Sequence, residues 1–504
     1  MTDRFDEDLT RPLPGAAAAE EAEREGGPRI GRDEWVARHG ERRGVRAGRL
    51  GVVEERLRLV PWWAWLTLFV AVVCLLPIGF ESGYVRRVAF DTVLYMLLAL
   101  GLNVVVGWGG LLDLGYIAFY GLGAYGYAML SSDKFDVHLP FFLSFPLVLA
   151  GGALIGLLVG LPSWRLVGDY LAIVTLFFFQ IFITVVTNGD QLFGNDLTGG
   201  SNGIPNVDPL SAFDWELAPA QDGIFNVAYL YVALALFVLV FVALRLVNDS
   251  RTGRAWRSLR EDALAAELMG MPVNWLKLMA FSFGAAVAAL SGALFASLNA
   301  GVFPQTFAFP LLITIYTMVI LGGAGSQAGV VLGAIIVSVL LEVLREPGDS
   351  RYVFYALIVL ALAAIIRPLT RLLVLLAATA ALGFAAHEVA GAVSEQAVEG
   401  VSEGGGRAAE WASEWVIVPV DPAGWLSPVS YVTLVALLLC LTLLQGWWRI
   451  ALLVPTLYLA AFVWENVMAE KPEPTRYIVL GIILVATMVA RPSGILGERR
   501  VEIV

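Results

Sequence analysis

Long apolar runs separated by short polar stretches fill the chain from residue 62 to residue 490. A membrane-spanning helix needs about 20 apolar residues, and fewer where the helix is short or buried. On this basis we predict spans at 62–80, 88–106, 114–130, 140–161, 169–188, 225–247, 275–299, 309–322, 327–344, 352–366, 372–390, 428–445, 449–467 and 476–490. The predicted fold is all-α, a polytopic transmembrane helical bundle in the lipid bilayer, with about 10 core spans plus about 4 extra C-terminal spans.

The composition agrees with this pattern. Of 504 residues, 58% are hydrophobic and only 15% are charged, whereas a soluble protein carries about 25% charged residues. The net charge of −11 gives no indication of a nucleic-acid partner. Cys74 and Cys440 fall inside apolar runs, and His39, His138 and His387 are far apart. We therefore predict no disulfide framework and no metal site.

The arginines predict the orientation. Seven of them lie between Arg38 and Arg58, just before the first predicted span, whereas the 189–224 segment contains no Lys or Arg. Cytoplasmic ends of spans are enriched in these residues. We therefore place both termini in the cytoplasm of a bacterium, the chain in its inner or cytoplasmic membrane, and 189–224 outside. Residues 1–58 lack an apolar signal-peptide core and are predicted to form a disordered cytoplasmic tail.

A charged segment, "RAWRSLREDALAAELMGMPVNWLKL", lies between two apolar runs. A charge at the bilayer centre costs about 2.5–3.5 kcal/mol, so this segment does not span the membrane. We predict one helix over 252–269 on the cytoplasmic face, ended by Gly270 and Pro272. Its apolar side carries Trp256, Leu259, Ala263, Ala266 and Met269. The pattern alone leaves open whether it docks a partner or only touches lipid.

Several motifs resemble one family of transport proteins. The stretch "GRAWRSLREDALAAELMGMPVNWLKLMAFSFGAAVAALSGAL" resembles the coupling loop and following span of the high-affinity branched-chain amino-acid ABC importer permeases. "GGLLDLGYIAFYGLGAYGYAML", "GDYLAIVTLFFFQIFITVVTN" with "LTGGSNGI", "VILGGAGSQAGVVLGAIIV" and "ARPSGILG" follow in the order of that family. The resemblance covers about 88–367 plus 476–497 and also extends to urea and short-chain amide permeases.

The resemblance implies a transport subunit that is not an enzyme. It implies a permease for branched-chain or related amino acids that works with a second permease subunit, two separate ATPase subunits and an extracytoplasmic substrate-binding protein. The chain contains no G-x-x-x-x-G-K-[ST] motif, so we expect no cofactor on it and ATP on the partner. The implied ATPase-coupling residues are Arg257, Arg260, Glu261, Asp262, Ala265, Ala266 and Gly270.

The same resemblance suggests two further sets of residues. Substrate-path candidates are Asn103, Asp113, Tyr116 and Gln180, and binding-protein docking candidates are Thr198, Gly199, Gly200 and Asn202. The family usually has Ser at the Asp113 position and Glu at the Gln180 position, and polar groups inside a membrane are functional candidates. Hydrogen bonds between helices remain the alternative for Asn103 and Gln180. Close helix packing or tight turns are predicted at Gly115, Gly121, Gly123, Gly126, Gly322, Gly323 and Gly325.

Two segments near the C-terminal end resemble each other, "RYVFYALIVLALAAIIRP" at 351–368 and "RYIVLGIILVATMVARP" at 476–492. We predict a permease core at 59–368, containing the coupling helix, and a transmembrane extension at 369–504 that ends in a copy of the closing span.

Two alternative functions remain. One is a urea or short-chain amide ABC permease. The other is an ion-coupled secondary carrier, which typically shows inverted repeats and interrupted mid-membrane helices. We find no such repeat in the sequence, and a carrier would leave the charged segment unexplained.

Overall fold

The computed structural model describes residues 61–79, 82–164, 169–191, 194, 196–212, 215–216, 227–366, 369–394, 396, 398–400, 406–420, 425–444, 446–468, 472–490 and 493–497. Within them, eight helices are long and apolar enough to cross a membrane, and five shorter apolar helices accompany these. Each of the fourteen predicted spans falls on a helix, so the all-α polytopic fold is confirmed. The predicted tail at 1–58 lies outside the described residues.

The chain divides into two compact units, Met1–Leu75 and Leu76–Val504. Helix α1, Trp62–Gly79, begins in the first unit. The next helices are α2 Gly83–Leu102, which continues into a π-helical turn at Asn103–Trp108, then α3 Tyr116–Leu130, α4 Phe141–Gly160, α5 Asp169–Thr187 and α6 Val227–Asp249. They are followed by α7 Arg251–Glu261, α8 Ala263–Leu268, α9 Val273–Asn299, α10 Phe309–Gly322 and α11 Gln327–Val343. Short 3-10 turns lie at Leu161–Trp164, Gly200–Asn202 and Pro304–Phe307.

Helix α9 is the centre of the second unit and packs against α2, α3 and α4. Small residues allow this approach. A Cβ atom added at Gly123 would lie 2.1 Å from the Ala289 carbonyl oxygen, and one at Gly156 would lie 2.5 Å from the Ala285 Cβ. Close packing through small residues is typical of helices in membranes. The packing prediction is confirmed for Gly123 but is wrong for Gly126, where an added Cβ meets only Val148 at 3.7 Å.

Three two-residue strand pairs connect the loops, a feature the sequence did not predict because such runs are too short to show alternation. Strand β1 Ser131–Ser132 pairs with β2 Val137–His138, and β3 Ile204–Pro205 pairs with β6 Gly301–Val302. Strand β4 Ser211–Ala212 pairs with β5 Trp215–Glu216. The β3–β6 pair ties the 196–212 loop to the end of α9.

The C-terminal part contains α12 Pro347–Ile365, α13 Leu369–Val393, α14 Gly406–Trp415, α15 Leu426–Leu443, α16 Trp447–Val463 with a π-helical turn at Trp464–Met468, and α17 Pro472–Ala490. The last helix, α17, packs against α10. Beyond it, the backbone amides of Ile495 and Leu496 donate to the carbonyl oxygens of Leu321 and Gly322 at 2.9 and 3.0 Å. The second of the two similar segments therefore packs against α10, and its being a copy of the closing span stays a prediction. The division predicted at 368 stays a prediction.

The first of the two similar segments, which forms most of α12, is held by a buried ion pair. Arg351 at its beginning pairs with Glu465 of the second π-helical turn, with 3.0 Å between Nη2 and Oε2. Both side chains are fully buried, and Tyr355 also donates to the Glu465 carboxylate at 3.0 Å. The Phe354 and Trp464 rings stack beside the pair with centroids 4.0 Å apart. A buried, hydrogen-bonded ion pair thus joins α12 to the extension.

Candidate functional site

The charged segment between α6 and α9 forms two helices rather than the single predicted helix 252–269. Asp262 lies between them in an extended conformation, and its carboxylate accepts hydrogen bonds from the amides of Leu264 and Ala265 at 2.9 and 3.0 Å. The predicted continuous helix is therefore wrong, because aspartate is a strong N-cap and starts a new helix here. We call residues 250–271 the coupling segment.

The end of the coupling segment follows the prediction. Gly270 has a φ of +80°, and its amide donates to the Glu267 carbonyl oxygen at 2.9 Å. The amide of Met271 donates to the Ala266 carbonyl oxygen at 3.1 Å. These two bonds form a Schellman motif, which requires a left-handed residue and therefore favours glycine. The predicted helix end at Gly270 is confirmed.

Trp256 anchors the coupling segment to the transmembrane helices. Its side chain is fully buried, and the indole Nε1 donates to the Leu276 carbonyl oxygen at 2.8 Å. The ring stacks on Trp108 with centroids 6.1 Å apart and contacts the edge of Phe283 at 6.0 Å. Ala266 is also buried. Both side chains therefore pack inside this chain instead of presenting an outer face.

Arg260 joins three parts of the core. Its Nη1 donates to the carbonyl oxygens of Gly107, at the end of the first π-helical turn, and Ala324, in the α10–α11 turn. The same turn and π helix are also bonded directly, because Asn103 Oδ1 accepts from the Gly325 amide at 2.7 Å. Trp108 Nε1 donates to the Gly325 carbonyl oxygen at 3.0 Å. The coupling segment is thus hydrogen-bonded directly to the first π-helical turn and to the α10–α11 turn.

Other coupling candidates face outward. Arg257, Glu261, Asp262 and Ala265 are exposed. Three large apolar side chains on α8 and at its C-cap are also exposed: Leu264 at 67%, Leu268 at 80% and Met269 at 81%. Clustered apolar side chains on a polar surface mark a site that contacts a partner or a membrane. The pattern analysis identified Met269 but placed it on the same side as the buried Trp256.

The substrate-path candidates occupy two regions. Asn103 begins the first π-helical turn, Asp113 lies in the turn before α3, and Tyr116 begins α3; all three are fully buried. The Tyr116 hydroxyl donates to the Leu98 carbonyl oxygen at 2.8 Å, and Asp113 Oδ1 accepts from the Gly115 amide at 2.9 Å. Asp113 Oδ2 has no hydrogen-bond partner among the described residues. Gln180 is exposed on α5, and no described contact brings it to the other three.

The docking candidates lie in a tightly bonded loop. Thr198 is buried and donates to the Val186 carbonyl oxygen at 2.8 Å, whereas Asn202 is exposed. Gly199 and Gly200 have φ values of +75° and +56°. Asp196 receives hydrogen bonds from Lys134 and from the Gly199 amide, both at 2.7 Å, and the Lys134 bond is the main cause of a lowered pKa of its carboxyl. The two glycines therefore shape the loop, and Asn202 is accessible.

A surface cluster beside this loop was missed by the sequence analysis. His138 Nδ1 lies 2.6 Å from Asp208 Oδ2, and Asp133 completes a group whose ligand atoms all lie within 4.8 Å of one another. The hydrogen bond to Asp208 raises the pKa of His138. The sequence carries no local signal for this pair, because Asp208 is 70 residues away from His138 in the chain. The group has the residue types of a cation site, although exposed acidic groups are common without one.

Comparison with known proteins gives the family. The family described as "Branched-chain amino acid transport system / permease component" matches residues 84–366. The chain belongs to this permease family. The match includes the coupling segment, the Asp113 turn and the Gly-rich 199–203 loop, and the resemblance inferred from the motifs is confirmed.

Individual relatives add detail. The "High-affinity branched-chain amino acid transport system permease protein LivM" of Escherichia coli (strain K12) is 38% identical over 276 residues, which cover 51% of this permease and 63% of the relative. The chain thus spans less than two thirds of that protein. A "Probable branched-chain amino acid transport permease protein LivM" of Methanocaldococcus jannaschii is 26% identical over 290 residues, 54% of this chain and 78% of the relative.

A relative with a different printed substrate also matches. The "Fructose import permease protein FruG" of Bifidobacterium longum is 25% identical over 310 residues, 59% of this chain and 86% of the relative. No solved structure matches the chain. Sequence similarity to this chain therefore extends to permeases named for chemically different substrates.

Proposed function

We propose that this chain is the membrane-spanning permease subunit of an ABC importer for branched-chain or related amino acids, energised by a separate ATPase. It would act in a bacterial inner or cytoplasmic membrane, beside a second permease subunit, two ATPase subunits and an extracytoplasmic binding protein. The observation that carries the proposal is the coupling segment, which is anchored to the core by Trp256 and Arg260 and exposes charged and apolar side chains outward. The relatives named for branched-chain amino acid transport support the substrate class.

In this proposal the ATPase contacts the exposed side of the coupling segment. Leu264, Leu268 and Met269 would pack into a cleft of the ATPase, while Glu261 makes polar contacts at its edge. Arg260 would not touch the ATPase, because its guanidinium is bonded to carbonyls of this chain. Its role would be to transmit a displacement of the segment to the first π-helical turn and to the α10–α11 turn.

Co-purification tests the partner. The tagged full-length chain, extracted from cells that express its native partners, should retain an ATPase. Leu268→Asp and Glu261→Arg should each reduce retention by about 10-fold or more, because interface residues of this kind contribute over about 1.4 kcal/mol. Glu410→Arg, an exposed change on α14, is the matched control. Full retention by both variants would indicate that the segment contacts only lipid.

Uptake tests the substrate. Cells expressing the complete system should accumulate labelled leucine and valine in an ATP-dependent way. Urea should not be accumulated, and its uptake would identify the amide permease alternative. Fructose is measured in parallel because of the fructose permease relative. Accumulation driven by an ion gradient without ATP would identify a secondary carrier and overturn the proposal.

Thiol labelling tests the orientation. Ser201 is exposed in the Gly-rich loop, and Glu261 is exposed on the coupling segment. In a background without Cys74 and Cys440, a cysteine at 201 should react with an impermeant reagent on intact cells. A cysteine at 261 should react only after lysis. The reverse pattern would invert the proposed topology.

A further inference from the structure

A polar cavity of about 130 Å³ lies between α2, α10, α11 and α17. Two carboxylates, Asp91 and Glu342, and one guanidinium, Arg476, line it together with the Ser338 hydroxyl. Leu311 and Leu341 provide an apolar part of the wall. Charged groups between helices of a membrane bundle are costly and mark functional sites.

Each carboxylate of the cavity accepts hydrogen bonds from the protein through one of its two oxygens. Asp91 Oδ2 accepts from Arg87 Nε at 3.1 Å, and Glu342 Oε1 accepts from Tyr84 and Arg345 at 2.5 and 3.3 Å. Among the described residues, the second oxygen of each carboxylate accepts no hydrogen bond. A carboxylate oxygen offers two acceptor sites, so both groups retain capacity for a donor such as an ammonium group.

Ser338 gives an independent indication of a ligand. Its side chain is only 6% exposed, and within the described part of the chain its Oγ has no hydrogen-bond partner. Buried hydroxyl groups are normally hydrogen-bonded, and an exception needs an explanation. A ligand in the cavity supplies one, because Ser338 is part of its lining.

The guanidinium of the cavity belongs to the second of the two similar segments near the C-terminal end. The Arg351–Tyr352 pair of the first copy corresponds to Arg476–Tyr477 of the second. Arg351 pairs with Glu465 and is 1% exposed, and Arg476 and Tyr477 line the cavity. The two similar segments thus place the same residue pair in different surroundings, and the second brings a positive charge to the cavity that holds the two carboxylates.

The cavity lies far from the coupling segment and close to the 196–212 loop, which contains the docking candidates and which we call the docking loop. Asp91 and Gly107 are 16 residues apart along α2 and its π-helical turn, which corresponds to about 24 Å. Arg87 Nη2 donates to Asn299 Oδ1 at 2.8 Å, at the end of α9. Strand β6 begins two residues later and pairs with β3 in the loop that contains Thr198–Asn202. A ligand released at that loop would meet this end of the bundle first.

We propose that this cavity binds a small aliphatic amino acid as a zwitterion. Asp91 and Glu342 would accept from the α-ammonium group, Arg476 would bind the α-carboxylate, Ser338 would complete the polar contacts, and Leu311 and Leu341 would contact the side chain. A cavity of about 150 Å³ holds benzene, which has six heavy atoms, so a cavity of about 130 Å³ is in the size range of a small aliphatic amino acid. The choice of an amino acid rests on the proposed function, and the presence of a site rests on the cavity.

The test measures binding to the full-length chain, purified in lipid nanodiscs, by equilibrium dialysis with labelled valine. Unlabelled valine should compete, whereas N-acetylvaline, which lacks the ammonium group, and valinamide, which lacks the carboxylate, should compete at least 10-fold more weakly. This comparison needs no variant. Equal competition by either derivative, or the absence of saturable valine binding, would overturn the proposal.

Variants locate the site. Glu342→Gln should weaken valine binding by about 10-fold or more, and Ser338→Leu should abolish it by filling the cavity. Asp249→Asn, an exposed change at the coupling end of α6, should leave binding unchanged. Unchanged binding in both cavity variants would place the ligand elsewhere.

Two outcomes separate this proposal from the proposed function. ATP-dependent valine uptake without valine binding to the chain would refute this site and leave the proposed function standing. Valine binding without uptake would refute the proposed function alone.

Discussion

The guanidinium of Arg260 donates to the carbonyl oxygen of Gly107, 153 residues earlier in the chain. Gly107 lies where the first π-helical turn ends, so its carbonyl has lost the amide that a continuing helix would supply. The charged segment is consequently bonded to the transmembrane helix through a side chain that the family resemblance had assigned to the ATPase contact.

We predict that Arg260→Gln separates ATPase association from transport. The variant leaves the Gly107 and Ala324 carbonyls with a shorter, uncharged donor, and an unsatisfied buried carbonyl costs about 1–3 kcal/mol. ATPase co-purification should stay within about twofold, while uptake of labelled leucine falls by about 10-fold or more. Arg254→Gln is the control, because Arg254 is exposed on the same helix and is not one of the coupling candidates. Normal uptake by Arg260→Gln would show that the bond transmits nothing.

We predict that Gly199→Ala disrupts the docking loop more than Gly194→Ala does. Both glycines have positive φ values, +75° and +79°, so alanine at either costs about 1–2 kcal/mol. An added Cβ at Gly199 would also lie 1.8 Å from the Gly203 carbonyl oxygen, whereas at Gly194 nothing lies within 4 Å. Uptake dependent on the binding protein should fall strongly only for Gly199→Ala. Equal effects of the two changes would contradict the steric explanation.

Breaking the buried ion pair should destabilise the extension. Arg351→Met leaves the Glu465 carboxylate buried without its cation, which costs about 3–5 kcal/mol. The double variant Arg351→Met with Glu465→Gln should recover much of this loss in thermal unfolding of the purified protein. Asp249→Asn removes the partner of Arg245 in an exposed pair and should change stability by less than about 1 kcal/mol. A single variant as stable as the double one would show that the pair is not coupled.

The His138–Asp208 pair should respond to pH. The charge and hydrogen bond of Asp208 raise the pKa of His138 in the folded protein. The stabilising contribution is therefore fully present below the ordinary histidine pKa of about 6.5 and is lost as the pH rises through the raised value. Histidine NMR should show His138 titrating above pH 6.5, and Asp208→Asn should return it to the ordinary range. A titration unaffected by Asp208→Asn would contradict the pairing.

Deleting 351–475 should leave an inserted core in which Arg476–Tyr477 follows Ser350. Four predicted spans are removed, so the remaining ends keep their sides of the membrane. Glu342 and Arg476 line the same cavity, and the eight residues 343–350 can extend about 26 Å, enough to connect them. Protease protection of the truncated chain in membranes is the measurement. Loss of insertion would show that the extension is required for the core.

Local patterns in the sequence predicted the parts of the molecule that local physics controls. The apolar runs predicted where the apolar helices lie, and Gly270 predicted the end of the coupling segment, since both depend on residues within a few positions. The break at Asp262 was missed because a continuous periodic pattern obscured its capping ability. The bonds of Arg260, His138 and Arg351 were missed because their partners are 153, 70 and 114 residues away.

The two Arg-Tyr spans also have a consequence for how the chain is made. During synthesis α12 leaves the ribosome more than one hundred residues before α17, so it is the first helix available to close the bundle beside α10. The finished structure gives that position to α17 and holds α12 through Glu465. Because Glu465 lies seven residues before α17 begins at Pro472, the pairing of α12 with Glu465 becomes possible only shortly before α17 itself is synthesised.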